Sequence, residues 1–174
     1  MDTQSKCRIC KCICRCTQRW VNCKTKEATE DIVLTTPQTL AGAHLYIDSG
    51  NTINIAPQTP ILFANAWLEN NQNITYDNTG TFTISVAGTY QVHYQANLLV
   101  AQVGSQELSL NVNGSPVVKA TSATIQSGIA GAVNGFALLA LNAGDTLQVV
   151  NTNANEITLA ETSPQAQIMI LSLV

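Results

Sequence analysis

The sequence is poor in charge, and the charge it has is unevenly divided. Asp, Glu, Lys and Arg make up 11% of the 174 residues, against 45% apolar. So thin an ionic coat leaves large areas to be covered by other protein, and oligomerisation is the expectation. No cysteine lies beyond Cys23, and beyond Lys26 the only base is Lys119. No run of eighteen apolar residues occurs, so no helix is expected to span a membrane. The N-terminus lacks the apolar stretch and small-residue cleavage site of a secretory signal, so export is expected by another route, such as lysis of the producing cell. Neither a Gly-x-Ser-x-Gly elbow nor a Gly-X-Y tract nor an internal repeat is present.

What charge there is falls into two blocks. Lys6, Arg8, Lys11, Arg15, Arg19, Lys24 and Lys26 stand against Asp2 alone and give residues 1–26 a charge of +6. From residue 27 onward ten acids stand against Lys119 and give −9. A basic tail on an acidic head can meet a polyanion or the acidic head of another copy. The acidic head would repel a nucleic-acid backbone, and the tail offers only Trp20 for base stacking, so self-association is the simpler reading.

The length suits one domain plus an appendage. Residues 1–27 read as a cysteine-rich basic arm, 28–43 as a linker holding the β-prone Ile32-Val33-Leu34, and 44–174 as the folded body. The body is a series of short β-prone runs rich in Thr, Val, Ile and Leu, broken by Asn, Gly, Ser and Pro. Strands are predicted at 45–47, 53–55, 61–64, 74–76, 81–86, 89–100, 107–112, 117–121, 133–141, 146–152, 157–160 and 167–174, with one helical turn near 64–69. Many short strands at this spacing predict an all-β sandwich. Turns are predicted at 78–80, 87–88, 113–114 and 142–145, where Asn and Gly accept positive φ. Residues 136–141 and 168–174 are apolar on both faces, which predicts strands packed against a neighbouring subunit as well as the core.

Candidate chemistry is sparse. His44 and His93 have no acidic or cysteine neighbour in sequence, and packing or surface roles suit them better than catalysis. Asp48, Asp77 and Asp145 sit where loop calcium ligands could, but turn formation is the simpler role. Asn73-Ile74-Thr75 is a formal glycosylation acceptor, and no use of it is expected. The acids form no glycosidase-like pair. The expectation is no enzyme and no cofactor.

All six cysteines, Cys7, Cys10, Cys12, Cys14, Cys16 and Cys23, lie in the arm. Neighbours in a Cys-x-Cys pair close a very small ring, so bonds between different arms are easier. Adjacent Lys and Arg favour the reactive thiolate. Cross-linking is the preferred reading; a zinc or copper thiolate cluster and free thiols are the alternatives. Zinc-finger spacing is absent, and no metal is assigned.

Residues 76–94, Tyr-Asp-Asn-Thr-Gly-Thr-Phe-Thr-Ile-Ser-Val-Ala-Gly-Thr-Tyr-Gln-Val-His-Tyr, carry the spacing Thr79-Gly80-x-Phe82 followed by Gly88-x-Tyr90-x-Val92-x-Tyr94. This resembles the signature of complement-component-one-q and tumour-necrosis-factor-like jelly rolls, with Val92 where that family more often has Phe. The resemblance covers about residues 44–174, with Pro60-Ile61-Leu62-Phe63 and the apolar terminal strand also fitting. It implies a ten-stranded jelly-roll sandwich that trimerises through a mostly apolar inner sheet, with Phe82, Tyr90, Val92, Tyr94, Phe136, Leu138, Ile168 and Ile170 packing the core or the trimer.

The low charge and the abundance of Asn, Thr and Ala are similar to bacterial spore-surface collagen-like glycoproteins, and the cysteine arm in place of a stalk to subunits of flexible endospore appendages. That similarity implies an extracellular fibre, made in the mother cell, whose trimers stack head to tail through arms joined by disulfides. Its partners would be itself, a cysteine-rich anchoring protein and a tip protein, with neither nucleic acid nor membrane. The alternative is a trimeric ligand-binding head anchored to the coat or exosporium.

Overall fold

The computed structural model describes residues 41–70, 73–99, 104–124, 130–161 and 163–173. All of them belong to the unit Thr36–Val174. The arm, with its six cysteines and seven bases, lies outside the described residues.

Twelve strands follow in order: β1 (Gly42–Ile47), β2 (Ile53–Ile55), β3 (Asn65–Asn70), β4 (Ile74–Tyr76), β5 (Phe82–Ile84), β6 (Gly88–Leu99), β7 (Gly104–Val112), β8 (Ser115–Thr124), β9 (Ala130–Leu141), β10 (Thr146–Asn151), β11 (Ile157–Leu159) and β12 (Ala166–Ser172). They form two antiparallel sheets. One runs β4-β5-β10-β7-β8; in the other β3-β1-β12-β6-β9 lie side by side. These two rows of five are the expected ten strands. The remaining two, β2 and β11, pair with each other, and β11 joins β6 at Leu98 and Leu99, beyond the stretch that β12 covers.

β6 is the spine of the larger sheet. Its twelve residues pair along their whole length with β9, while the other edge meets β12 and then β11. Its sequence alternates, so Tyr90, Val92, Tyr94, Ala96 and Leu98 are buried and Gln91, His93, Gln95 and Asn97 turn outward. β12 repeats the pattern with Ala166, Ile168 and Ile170 inside. From the other layer Phe82, Ile84, Leu108, Leu110, Leu147 and Val149 complete one core.

The layers are also tied by a polar link. Tyr94 crosses the core and its hydroxyl donates to the Leu108 carbonyl at 3.1 Å. Room for that ring comes from Gly135, its partner on β9, where a Cβ would lie 2.1 Å from Tyr94 Cε1. Asn151 is fully buried and its amide donates to the Ile55 and Asn155 carbonyls at 2.9 and 3.0 Å. That bond holds the end of β2 to the second sheet.

Two sequence expectations are corrected. The segment 64–69 is not a helical turn, because Asn65–Asn70 pairs with β1 as a strand. Residues 61–64 are not a strand either. Pro60 makes a single bridge to Val150, the Ile61 N–H reaches the Val149 carbonyl at 2.8 Å, and the chain then crosses to the other sheet. A short apolar run after proline is ambiguous locally, and its long-range partners decide it. The turn at Asn113-Gly114 is present with φ of 50° and 77° and joins β7 to β8.

Two of the three loop aspartates, Asp77 and Asp145, serve turns. Asp77 Oδ1 accepts from the N–H groups of Thr79 and Thr81 at 2.7 and 3.0 Å. The Thr79 hydroxyl, ahead of these, holds the Asp77 carboxyl down to about 2. Asp145 accepts from the Asn113 amide and the Asn142 N–H, and both hold its pKa below the ordinary carboxylate range. Asp48 accepts from the Ser163 hydroxyl at 2.9 Å.

Candidate functional site

The outward side of β3-β1-β12-β6-β9 is the surface with the most unusual composition. Strand registers align its side chains in rows across the sheet. Leu171, Gln91 and Leu138 make one row; Met169 and His93 lie between His44 and Phe136 in the next; Tyr46, Gln167, Gln95 and Asn134 make the third. None of these is Asp, Glu, Lys or Arg. Phe136 and Leu138 are 56% and 60% exposed, and Trp67 is 54% exposed. Large apolar side chains left open in this way, without an ionic rim among them, mark a surface that another protein covers.

The rows are held in place by their own contacts. The Tyr46 ring stacks on Trp67 at 4.2 Å and the His44 ring meets it edge-on at 4.6 Å. His44 Nε2 donates to Gln167 Oε1 at 3.2 Å, and Gln167 Nε2 donates to Gln95 Oε1 at 3.3 Å. The middle of the face thus combines the amides and imidazoles of His44, Gln167, Gln95 and His93 with Met169 and Leu171, between two apolar margins, Trp67 with Tyr46 on one side and Phe136 with Leu138 on the other. Such a surface can dock a complementary one. It holds no nucleophile beside a base, and among the described residues no three His, Cys, Asp or Glu side chains come together as metal ligands.

The packing residues expected from the sequence separate into two groups. Phe82, Tyr90, Val92, Tyr94, Ile168 and Ile170 are buried inside the sandwich, whereas Phe136 and Leu138 point outward. Burial pushes the Tyr90 phenol above its usual range. Both histidines lie on the outward face. Sequence reasoning missed Trp67 and Tyr46, whose pairing depends on β3 lying against β1; the signal was an aromatic residue in a segment read as a helical turn.

The two facing antiparallel sheets of seven and five strands, the larger with an open apolar side, define a jelly-roll domain of the kind found in complement and tumour-necrosis-factor proteins. The chain belongs to the C1q domain family, whose model matches residues 47–167, more than half of its length. Three solved structures carry the same fold. Eiger TNF from S. frugiperda aligns with a TM-score of 0.67 at 17% identity, covering 78% of this chain and 93% of that one. Murine APRIL aligns at 0.64 and 12%, covering 78% and 100%. The globular domain of zebrafish complement 1qA aligns at 0.61 and 18%, covering 77% and 98%. None of the curated proteins matches the chain in sequence. Domains of this type are typically non-enzymatic binding modules that associate as homotrimers.

Proposed function

We propose that the chain is a non-enzymatic structural subunit of an extracellular fibre. Its jelly-roll body trimerises through the outward face of the larger sheet. The basic arm carries each trimer to the acidic body of the next, and Cys7, Cys10, Cys12, Cys14, Cys16 and Cys23 lock the contacts as intermolecular disulfides. The observation that carries the trimer is the set of uncharged rows ending in exposed Phe136 and Leu138. The division of charge and the confinement of all six cysteines to the arm support the fibre. Deployment on bacterial endospores, with a cysteine-rich anchor below and a tip protein above, is supported by sequence resemblance alone.

Electron microscopy of the purified full chain under oxidising conditions, beside reducing and non-reducing gels, tests this reading. Fibres are expected, with reductant-sensitive multimers on the gel. Isolated trimers that persist at high concentration with intact arms overturn it.

A second reading is favoured by the family itself: a trimeric ligand-binding head that the arm merely anchors. Deleting residues 1–26 separates the two. A head keeps its ligand affinity, whereas a fibre subunit loses polymerisation and stays a stable trimer.

A further inference from the structure

At the end of the sandwich where β1 finishes, an apolar groove of about 360 Å³ opens beside β2. Ile47, Ile53, Ile55, Pro60 and Leu62 line it. β2 is the terminal strand of its sheet path, so the edge away from β11 carries no paired strand among the described residues. Leu62 is 56% exposed, which is unusual for a leucine at the mouth of an apolar recess. The groove is built rather than incidental: Asn151 pins Ile55 from below, and Gln165 pins the preceding loop through Asn51 at 2.8 Å.

Four acids are close in the chain, or through a strand pair or hydrogen bond, to residues that line this groove. Asp48 follows Ile47, and Glu161 accepts from the Thr52 hydroxyl next to Ile53 at 2.7 Å. Glu156 precedes Ile157, the partner of Ile55. Asp77 lies two residues before Thr79, which also lines the groove. Among the described residues none of the four has a cationic partner; the ion pair they contain is Lys119 with Glu107.

We infer that this groove receives Trp20 from the arm of a second copy, with Arg19 and Lys24 meeting the acids near its lining residues. The inference rests on the fibre reading and names its receiving surface. Trp20 is the one aromatic residue in residues 1–43, and bases stand on both sides of it. An aromatic anchor in an apolar recess with charged neighbours at the rim is the usual centre of a protein contact. The described chain begins at Ala41, whose carbonyl accepts from the Ser172 N–H, at the opposite end of β1 from the groove. Twenty-two positions separate Trp20 from Gly42, a span of up to about 70 Å when extended, ample to bridge two bodies. With Ala41 at one end of β1 and the recess at the other, an arm docked in this way would make a head-to-tail contact that does not close on itself, as a filament needs.

The test uses full-length chains and sedimentation velocity under oxidising conditions. L62D places a carboxylate at the groove mouth from an exposed position, and W20S removes the anchor. The wild type is expected to polymerise and each variant to stop at trimers, while a one-to-one mixture of the variants forms paired trimers. In that mixture the L62D arm meets the intact W20S groove. Should L62D lose the circular-dichroism melt of the wild type, N54W replaces it, closing the groove from another exposed position. Wild-type fibres alongside L62D fibres of equal length overturn the inference and leave the fibre reading standing. Trimers that never pair in the mixture overturn it too, because the groove is then filled by its own arm or by another protein. A wild type that never polymerises overturns both.

Discussion

Replacing Gly135 with alanine is expected to destabilise the body far more than one methyl group suggests. Its Cβ would stand 2.1 Å from Tyr94 Cε1 and 2.4 Å from Cζ, so the ring has to move. Tyr94 is 1% exposed, and its hydroxyl is bonded across the core to the Leu108 carbonyl. Movement away from β9 therefore drives the ring into β7 and breaks that bond. Overpacking of this kind costs about 1–3 kcal/mol, and the lost hydrogen bond adds about 1 kcal/mol. A loss of about 2–4 kcal/mol corresponds to a melting temperature lower by roughly 6–12 °C for a domain of this size. The assay is thermal unfolding by circular dichroism at fixed protein concentration, because any self-association is linked to stability. Adding Tyr94→Leu, which makes room, should give a double variant more stable than the two separate losses imply, with a coupling of at least about 1 kcal/mol. A G135A melt within about 2 °C of wild type, or strict additivity in the pair, refutes the packing argument.

Other expected outcomes follow from the same geometry. F136S/L138S removes two exposed apolar side chains, each able to contribute about 1.5–3 kcal/mol on burial; sedimentation should find folded monomers, and unchanged trimers would discard the outward face as the interface. Asp77, Glu107 and Asp145 all have folded-state pKa values below the ordinary carboxylate range, through Thr79, Thr152 and Asn113 first. Their stabilisation is present above the ordinary carboxylate pKa and is lost as pH falls through the folded values, near 2 for Asp77. Urea titrations between pH 5 and pH 2 should show stability falling with acid more gently in D77N; identical slopes would contradict this. N151A leaves the Ile55 and Asn155 carbonyls without their donor and should cost about 1–3 kcal/mol, with faster hydrogen exchange at residues 53–55 than in the wild type.

The local grammar of the body was legible because it is written in periods and punctuation. β6 alternates from Tyr90 to Leu98, and Asn113-Gly114 announces its turn. The outward rows were not legible, since they depend on registers that join residues far apart in the chain, such as His44 with Met169, 125 positions on. Period 2 also put Phe136 and Leu138 on the same side of β9 without saying which side. The larger side chains face out and Gly135 and Ala137 face in, because Tyr94 and Val92 from β6 already fill the space above them. The strand at 65–70 was hidden for a similar reason: its edge pairing with β1 overrides a short segment with no strong preference of its own.

The absence of formal charge along the outward rows bears on where such an assembly can survive. Ionic strength screens attractions between charges, and a contact made of amides, imidazoles, aromatic rings and aliphatic side chains offers little to screen. Excluded anions such as sulfate strengthen apolar burial instead. Copies joined by this face would hold together in dilute rainwater and in drying brine alike.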